Sequence, residues 1–347
     1  MKPLVSILIP AYNAEKWIDY TIKSALEQTW PEKEIIIVDD GSIDNTLKIA
    51  RHFASKHVKV ISQENRGASA ARNRALEHAQ GDYIQWLDAD DLLHDDKISE
   101  QMKIAGSGLT NATLLASSFG TFYWRPERAI FAPNALWQDL TPVEWLLRRF
   151  VDNAWLVPAA WLVSRKLTQR AGLWNEKLSL DDDGEYFCRV VAASDHVKFV
   201  PEAKSYYRQS GYSQLSRSNN DGANESLLLS LTLCVRHLRL LEESERTKRA
   251  SLVLLERLYT YFYYFADKSS LSERVSLLAK ELGGELVPTS LKWKWNVLRK
   301  LLGWKTTRKI MSGAQRSRLM TKIYWDRLLY SMAHRGDDLT EHRIQQA

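Results

Sequence analysis

Two aspartates lie two residues apart where an apolar run ends, in a spacing that suits a metal site. Asp88 and Asp90 follow residues 83–87 directly, and Asp91 comes next. Two carboxylates with this spacing at the end of a strand can point into one site. Mg²⁺ and Mn²⁺ prefer one or two carboxylates together with phosphate oxygens and water. The spacing therefore predicts a metal–diphosphate site, with a solvated acidic turn as the alternative.

Two further motifs have side chains that suit a nucleotide. Asp39 and Asp40 precede Gly41 at the end of another apolar run, and an Asp at a strand end can accept hydrogen bonds from a base or a ribose. In residues 65–73, small side chains let a helix pack closely on a sheet, and the planar guanidinium of Arg72 could reach a diphosphate. A capping turn and a plain surface helix are the respective alternatives.

These polar residues are expected at one edge of a sheet. Short apolar runs predict strands at residues 5–9, 35–38, 58–61 and 83–87, and helical spacing predicts helices that begin at Asn13, at Asp44 or Asn45, and at Gly67. Strands that alternate with helices indicate βαβ units and a mainly parallel sheet. Ligands bind beyond the carboxyl ends of such strands, which is where the polar residues lie.

The composition allows a large core and places the surplus of positive over negative charge near the C-terminus. The chain has 347 residues, enough for about two domains, and 45% of them are apolar. Its net charge is +6, but residues 289–335 alone hold 12 Lys or Arg and one acid. The rest of the chain is therefore mildly acidic, at −5. The basic end predicts an anionic partner, either a membrane surface or a nucleic acid.

The C-terminal region also predicts where the protein works. If residues 291–304 are helical, their Trp, Leu and Val side chains form a broad apolar arc that Lys294 interrupts. Lys292, Arg299 and Lys300 lie opposite, and such a helix suits an anionic membrane interface. A helix packed on the rest of the chain with a solvated basic face is the alternative. No nucleic-acid-binding module is recognisable, so no nucleic acid is expected. Two cysteines and no apolar run of ~20 residues indicate a cytoplasmic protein, peripheral on the inner face of the plasma membrane.

Taken in order, four motifs resemble a known family. They are VSILIPAYN at 5–13, EIIIVDDGS at 34–42, GASAARN at 67–73 and GDYIQWLDADD at 81–91. Together they are similar to the nucleotide-sugar-binding half of family 2 glycosyltransferases, and the resemblance covers residues 4–92. It implies an α/β fold of the GT-A type, with a Rossmann-like mixed sheet, over residues 1–218. Residues 219–347 are expected to form a helical, basic C-terminal region.

The resemblance implies a role for each matching residue. Asp40 would read the edge of a uracil-like base, residues 11–12 would line the base and ribose pocket, and Arg72 would lie near the base and phosphates. Asp88 and Asp90 would bind Mn²⁺ or Mg²⁺ and, through it, the donor diphosphate. The full donor-binding set is Pro10, Ala11, Tyr12, Asn13, Glu15, Asp40, Arg72, Asp88, Ala89 and Arg208. Arg208 belongs to residues 201–216, which resemble the closing strand of the family, and a structural role in closing the domain is the alternative for it.

A second stretch extends the resemblance to the acceptor half. AGLWNE at 171–176, followed by DDDGEYFCR at 181–189, looks like the family signature in which an acidic pair opens a helix that ends in Arg. Counting back from Arg189 places Asp183 at the position of the catalytic base, with Asp182 as the register alternative. Inverting sugar transfer needs one carboxylate to take the proton from the acceptor hydroxyl, and clustered carboxylates raise one another's pKa. The alternative is that these acids have no catalytic role and lie at a helix N-terminus because negative charge is favourable at that end of the helix dipole.

The resemblance therefore predicts an inverting, metal-dependent glycosyltransferase. It would move a sugar from a nucleoside-diphosphate sugar, UDP-linked above others, to a hydroxyl of a glycan or lipid-linked acceptor, with Trp155 or Trp161 as the acceptor wall. A sugar nucleotidyltransferase would need a glycine-rich phosphate loop after the first strand, and residues 10–14 contain no glycine. A non-catalytic nucleotide-sugar or glycan-binding protein is the other alternative, although every motif acid is present.

Overall fold

The structure is a computed structural model that describes residues 2–108, 110–209, 220–266, 269–290 and 292–333. Its strands are β1 (Val5–Ala11), β2 (Lys33–Asp39), β3 (Val58–Ser62), β4 (Tyr83–Trp86), β5 (Leu92–Leu93), β6 (Thr113–Phe122), β7 (Ile130–Phe131), β8 (Trp161–Ser164) and β9 (His196–Arg208). Its helices are α1 (Ile18–Leu26), α2 (Thr46–His52), α3 (Ala68–His78), α4 (Lys97–Ala105), α5 (Pro142–Asp152), α6 (Arg165–Ala171), α7 (Asp182–Ala193), α8 (Asp221–Leu241), α9 (Glu245–Tyr261), α10 (Ser269–Glu281) and α11 (Trp293–Ala333).

The strands form one mixed sheet in the order β3-β2-β1-β4-β8-β6-β9-β5, with β7 paired to β6. β3, β2, β1 and β4 run parallel, as the alternating pattern predicts, whereas β8 joins β4 in the antiparallel direction. The register places Ala11, the last residue of β1, beside Asp39, the last residue of β2. The carboxyl ends of the first strands therefore meet at one edge, where the predicted donor motifs lie.

The central strands are apolar because both of their faces are covered. Ile7 and Leu8 point to opposite faces of β1, and both are fully buried. Parallel strands with two covered faces have continuous apolar runs and no alternation of polar and apolar residues, which explains the runs at 5–9 and 35–38. On α3, Ala71 and Ala75 are also buried, so small side chains let this helix lie close to the sheet.

The first helix begins later than the sequence predicts. We expected a start at Asn13, but α1 begins at Ile18. Asn13 has a left-handed backbone conformation with a φ of 48°. Its side-chain oxygen accepts a hydrogen bond from the backbone N–H of Ile43 at 2.9 Å. The Asn13 side chain therefore fastens the loop after β1 to the loop after β2 and does not cap a helix.

The C-terminal region is helical, as predicted. Residues 242–244 separate α8 from α9, and α11 bends at Gly303, where φ is 73°. α8 packs against α7, which carries the predicted catalytic acids. Within the described ranges, no helix has both the length and the hydropathy needed to cross a membrane. Residues 210–219, which contain the predicted domain boundary at 218, lie outside the described residues, so this division of the chain stays a prediction.

Candidate active site

Arg72 joins the two halves of the predicted site. It lies on α3, is almost fully buried, and donates to Asp88 Oδ1 at 2.8 Å and to Asp182 Oδ2 at 2.6 Å. Its guanidinium also lies over the ring of Trp174, 4.4 Å from the centroid. Burial alone would lower the pKa of Arg72, but the two carboxylates raise it, so this side chain stays charged. One guanidinium thus links the acids after β4 to the acids that open α7.

The two adjacent acids at the start of α7 have different environments. Asp182 accepts a hydrogen bond from Ser69 Oγ at 3.1 Å in addition to the one from the arginine, so both contacts hold α7 to α3. Asp183 Oδ1 accepts from the backbone N–H of Gly184 at 2.9 Å, and its Oδ2 has no hydrogen-bond partner among the described residues. Burial, followed by the charges of Asp182 and Asp181, raises the pKa of Asp183 to about 7. Asp183 therefore has the properties of a proton acceptor near neutral pH.

Two buried serines of α8 fix the segment in front of this acidic pair. Ser226 Oγ accepts from the backbone N–H groups of Ser179 and Leu180, both at 2.9 Å, and donates to Leu180 O at 2.7 Å. One turn later, Ser230 Oγ lies 2.6 Å from Asp181 Oδ2, to which it donates. Asp181 has a left-handed conformation with a φ of 59°. The start of α7 is therefore held by side chains of the C-terminal helical region.

Asp40 is buried at the end of β2, where its carboxylate holds the start of α3. Oδ1 accepts from Gln63 Nε2 at 2.7 Å and from the backbone N–H of Arg66 at 2.9 Å, and Oδ2 accepts from the N–H of Gly67 at 2.8 Å. The backbone N–H of Asp40 donates to Ala11 O at 2.8 Å. Asp40 thus lies between the loop after β1 and the start of α3, and its role as the reader of a base stays a prediction.

The other predicted donor-binding residues form the end of β1 and the loop after it. Pro10 and Ala11 end the strand, whereas Tyr12 is 50% exposed and presents its ring to solvent. Glu15 turns toward the start of α2, where its Oε2 accepts from the backbone N–H and the side-chain amide of Asn45, both at 3.0 Å. The structure therefore gives Glu15 a local structural contact, and its contact with a nucleotide stays a prediction.

Arg208 also contacts the acidic segment that follows β4. It lies at the end of β9 and donates from its backbone N–H to Asp91 Oδ1 at 2.9 Å and from Nε to Asp90 O at 2.7 Å. Its guanidinium carbon is 4.2 Å from the ring centroid of Trp17 and 4.4 Å from that of Phe122. Burial lowers the pKa of Arg208 and raises that of Asp91 well above its usual range. The structure thus places Arg208 against the backbone that precedes β5.

Asp88 and Asp90 fit the requirements of a divalent cation. Both side chains are partly exposed, and Asp88 uses only Oδ1 for its bond with Arg72. Ala89, between them, is buried and its carbonyl accepts from Thr21 Oγ1 at 2.9 Å, which fixes the backbone. In the part of the chain that the structure describes, no three His, Cys, Asp or Glu side chains form a metal site by themselves. A cation on these two carboxylates would take its other ligands from a diphosphate and water.

Trp161 does not form an acceptor wall, because it is a core residue. It is 0% exposed, and its ring stacks on that of Phe187 with a centroid distance of 5.1 Å. Trp155 is 44% exposed and packs on Phe119 and Tyr207, with centroid distances of 5.0 and 5.7 Å. The prediction for Trp161 was wrong because buried and exposed tryptophans in this irregular stretch look alike in sequence. The prediction for Trp155 stays open.

Three side chains that shape the site have no role predicted from the sequence. Trp174 lies under the Arg72 guanidinium and stacks on Tyr186 with a centroid distance of 4.0 Å. Ser226 and Ser230 belong to an amphipathic helix in which a serine is an ordinary residue. For Trp174, the only available signal is its place in the AGLWNE motif. For the two serines, the contacts become visible only in three dimensions.

Comparisons with known proteins identify relatives of the first half of the chain. Residues 6–167 match the family Glycosyl transferase family 2. TuaG of Bacillus subtilis, named as a teichuronic acid biosynthesis glycosyltransferase, is 45% identical over 146 residues, which are 40% of this chain and 56% of TuaG. The uncharacterized glycosyltransferase EpsJ of the same organism is 30% identical over 220 residues, which are 60% of this chain and 62% of EpsJ. The chain therefore spans less than two thirds of either relative.

Solved structures with the same fold extend the likeness to most of the chain. S. aureus TarS 1-349 in complex with UDP-GlcNAc has a TM-score of 0.61 and 21% identity, and the match covers 80% of this chain and 78% of TarS 1-349. The mannosyltransferase PcManGT from Pyrobaculum calidifontis, in complex with GDP-Man and Mn²⁺, has a TM-score of 0.51 and 18% identity, with 94% and 88% coverage. These likenesses confirm the predicted GT-A fold.

Proposed function

Because the chain belongs to glycosyl transferase family 2, we propose that it is an inverting glycosyltransferase. It would move one sugar from a UDP-sugar to a hydroxyl of a glycan or lipid-linked acceptor. The observation that carries this proposal is the bridge from Asp88 through Arg72 to Asp182. This bridge brings the donor-side carboxylate and the acidic start of α7 to one guanidinium. Asp183, next to the bridge, supplies the proton acceptor that transfer requires.

The donor side is proposed from the order of the motif residues along the sheet edge and from the ligands of similar proteins. TarS has been solved with UDP-GlcNAc and with UDP, which favours a UDP-sugar here. We place the base between Asp40 and the exposed ring of Tyr12, with Pro10, Ala11 and Asn13 around it.

The diphosphate is proposed to lie at the end of β4. Asp88 and Asp90 would hold Mn²⁺ or Mg²⁺, which, when bound, offsets the negative charge that develops on the leaving diphosphate. Arg72 contributes a permanent positive charge beside Asp88. Arg208 keeps this segment in place through the Asp90 carbonyl. The chain thus supplies both the cation ligands and a fixed cation of its own.

We assign Asp183 as the general base and Asp182 as the residue that positions Arg72. The acceptor hydroxyl gives its proton to Asp183 Oδ2, and its oxygen forms the new bond to the anomeric carbon. The bond from that carbon to the diphosphate oxygen breaks, and UDP leaves with the electron pair. A single displacement of this kind inverts the configuration at the anomeric carbon. With a pKa of about 7, Asp183 is basic enough to accept the proton, and the ionised fraction of its carboxylate rises as the pH rises through about 7.

The reaction is proposed to take place in the cytoplasm, at the inner face of the plasma membrane. The support is the charge of residues 289–335, which hold 12 Lys or Arg and one acid. Anionic lipids attract such basic segments. A membrane location would also bring the enzyme to lipid-linked acceptors.

A turnover assay with a panel of UDP-sugars, Mn²⁺ and candidate acceptors tests the function. We expect UDP release that depends on the acceptor and that is lost in Asp183→Asn. The matched variant Asp195→Asn, at an exposed position outside the site, should keep the activity. Undiminished UDP release by Asp183→Asn would refute the assignment of the base. Formation of a UDP-sugar from UTP and a sugar phosphate would indicate a nucleotidyltransferase, and binding without turnover would indicate a binding protein.

A further inference from the structure

Helix α11 exposes a row of large apolar side chains. Trp293, Val297 and Leu301 follow one another at intervals of four residues, so they lie along one side of the helix. Trp293 is 79% exposed and Leu301 is 74% exposed. Beyond the bend in the helix, further exposed apolar side chains are Ile310, Met320, Tyr324, Trp325, Leu329 and Met332. Exposed apolar surface of this extent marks a site of interaction with a partner or a membrane.

The same helix is strongly basic. Its sequence from residue 293 to residue 333 holds ten Lys or Arg and a single acid, Asp326. Asp326 is paired with Arg125, 2.7 Å away, so it does not offset the charge of the neighbouring cations. Trp and Leu side chains among Lys and Arg suit a bilayer interface with anionic lipids. The apolar groups enter the boundary between headgroups and acyl chains, and the cations meet the phosphates.

The far end of α11 is fastened to the rim of the candidate active site. Asp326 accepts from the backbone N–H of Trp124 at 2.9 Å. The ring of Trp124 lies 4.6 Å from that of Trp17, on which the Arg208 guanidinium packs. Arg208 in turn donates to the carbonyl of Asp90. A continuous series of contacts therefore connects α11 with the acidic segment after β4.

We propose that α11 lies on an anionic membrane surface, with its exposed apolar side chains in the bilayer interface and its Lys and Arg side chains on lipid phosphates. Because α11 is tied to the rim of the site, a bound helix would hold the active site close to the bilayer. A hydroxyl on a membrane lipid would then reach the site while the lipid stays in the membrane. Membrane binding is independent of the proposed transfer reaction, since it can be measured without any donor.

Two other partners fit this surface less well. A second copy of the chain would bring two strongly basic helices together, and these repel each other at low salt. A nucleic acid would neutralise the cations but would leave Trp293 and Leu301 in water. The membrane is the partner that covers both the apolar and the charged side chains.

Co-sedimentation of the full chain with lipid vesicles tests the proposal. We expect binding to phosphatidylcholine vesicles that contain phosphatidylglycerol and little binding to phosphatidylcholine alone. The double variant Trp293→Ser/Leu301→Ser should lower the partition coefficient roughly 10-fold or more, because two exposed apolar side chains are lost. The matched control Leu240→Ser/Leu277→Ser removes two exposed apolar side chains from α8 and α10 and should bind like the parent protein.

A pair of charge-reversal variants separates the electrostatic contribution to vesicle binding from the apolar contribution. Arg299→Glu/Lys300→Glu on α11 should weaken binding to anionic vesicles, whereas Lys56→Glu/Lys166→Glu, two exposed positions outside α11, should have little effect. Higher salt should weaken binding as well, because the screening length falls from ~10 Å at 0.1 M to ~3 Å at 1 M ionic strength.

Three results would overturn the proposal. The first is the absence of vesicle binding at low salt. The second is equal binding by the Trp293→Ser/Leu301→Ser variant and its control. The third is a dimer, or a complex with DNA, that depends on Trp293 and Leu301 while vesicles are not bound. UDP release to an acceptor that is not bound to a membrane should be the same in this variant and in the parent protein, so a failure of membrane binding can be told apart from a failure of the proposed reaction.

Discussion

Replacement of Asp183 by asparagine should stabilise the protein above neutral pH while it removes activity. Burial and the charges of Asp182 and Asp181 raise the pKa of Asp183 from 3.8 to about 7. A shift of that size corresponds to ~4 kcal/mol by which the folded state disfavours the ionised carboxylate, at ~1.4 kcal/mol per pKa unit. The folded protein binds this proton more tightly than the unfolded chain does. The resulting stability is therefore fully present below about pH 4 and is lost as the pH rises through about 7.

Asparagine has no proton to lose, so Asp183→Asn should not suffer this loss. The difference in free energy of unfolding between the variant and the parent should be near zero at pH 4, grow toward pH 7 and stay constant above it, at no more than ~4 kcal/mol. Urea unfolding of both proteins at several pH values measures this difference directly. The matched variant Asp182→Asn should be destabilised instead, because it weakens the contacts of Asp182 with Arg72 and Ser69.

The activity of the same variant gives the second half of the test. Loss of a general base lowers kcat by about 10²–10⁴-fold, and kcat of the parent protein should rise with pH through about 7 before it reaches a plateau. Two results contradict the reasoning. One is a kcat of Asp183→Asn within a few-fold of that of the parent. The other is a free energy of unfolding that is the same for the variant and the parent at pH 8 as well as at pH 4. The first would exclude Asp183 as the base, and the second would show that its carboxylate is not disfavoured in the folded state.

Three further changes probe the bridge, the start of α7 and the cation. Arg72→Met should lower the free energy of unfolding by ~3 kcal/mol, because it leaves the carboxylates of Asp88 and Asp182 without their partner, and denaturant unfolding that shows no loss would contradict the bridge. Gly184→Ala would place a Cβ 2.2 Å from Asp181 Oδ1, so the start of α7 must shift. We expect this variant to lose UDP release while its helix content, measured by circular dichroism, is retained. Unchanged turnover would show that activity does not depend on the exact position of the start of α7. Chelation with EDTA should stop UDP release and added Mn²⁺ or Mg²⁺ should restore it, whereas activity that survives complete chelation would exclude a metal requirement.

The donor half could be predicted from sequence because sheet topology decides which residues meet. β1, β2 and β4 are parallel neighbours, so the motifs at their carboxyl ends share one edge whatever the conformation of the intervening helices. The apolar runs that form these strands are also unambiguous, since both faces of the strands are buried. The order of the motifs along the chain is therefore sufficient to predict this part of the fold.

Side-chain partners could not be predicted in the same way. Counting from Arg189 leaves Asp182 and Asp183 as alternatives, because the choice depends on which of them faces α3. Adjacent residues of a helix point about 100° apart, so only one can meet Arg72, and the sequence does not contain the rotation of α7 about its axis. Asn13 illustrates the same limit, since an Asn oxygen can equally cap a helix or hold a neighbouring loop.

The helical region also takes part in the candidate site, although it lies beyond the residues that match the family. Ser226 and Ser230 belong to α8, outside the match at 6–167, and they hold the three residues that precede the acidic pair. The hydrogen bond from Ser230 to the Asp181 carboxylate contributes ~1.5–3 kcal/mol, enough to keep Asp181 in its left-handed conformation. A misplacement of about 1 Å can reduce catalysis by about 10²-fold. The position of Asp183 therefore depends on α8 as well as on α7 itself.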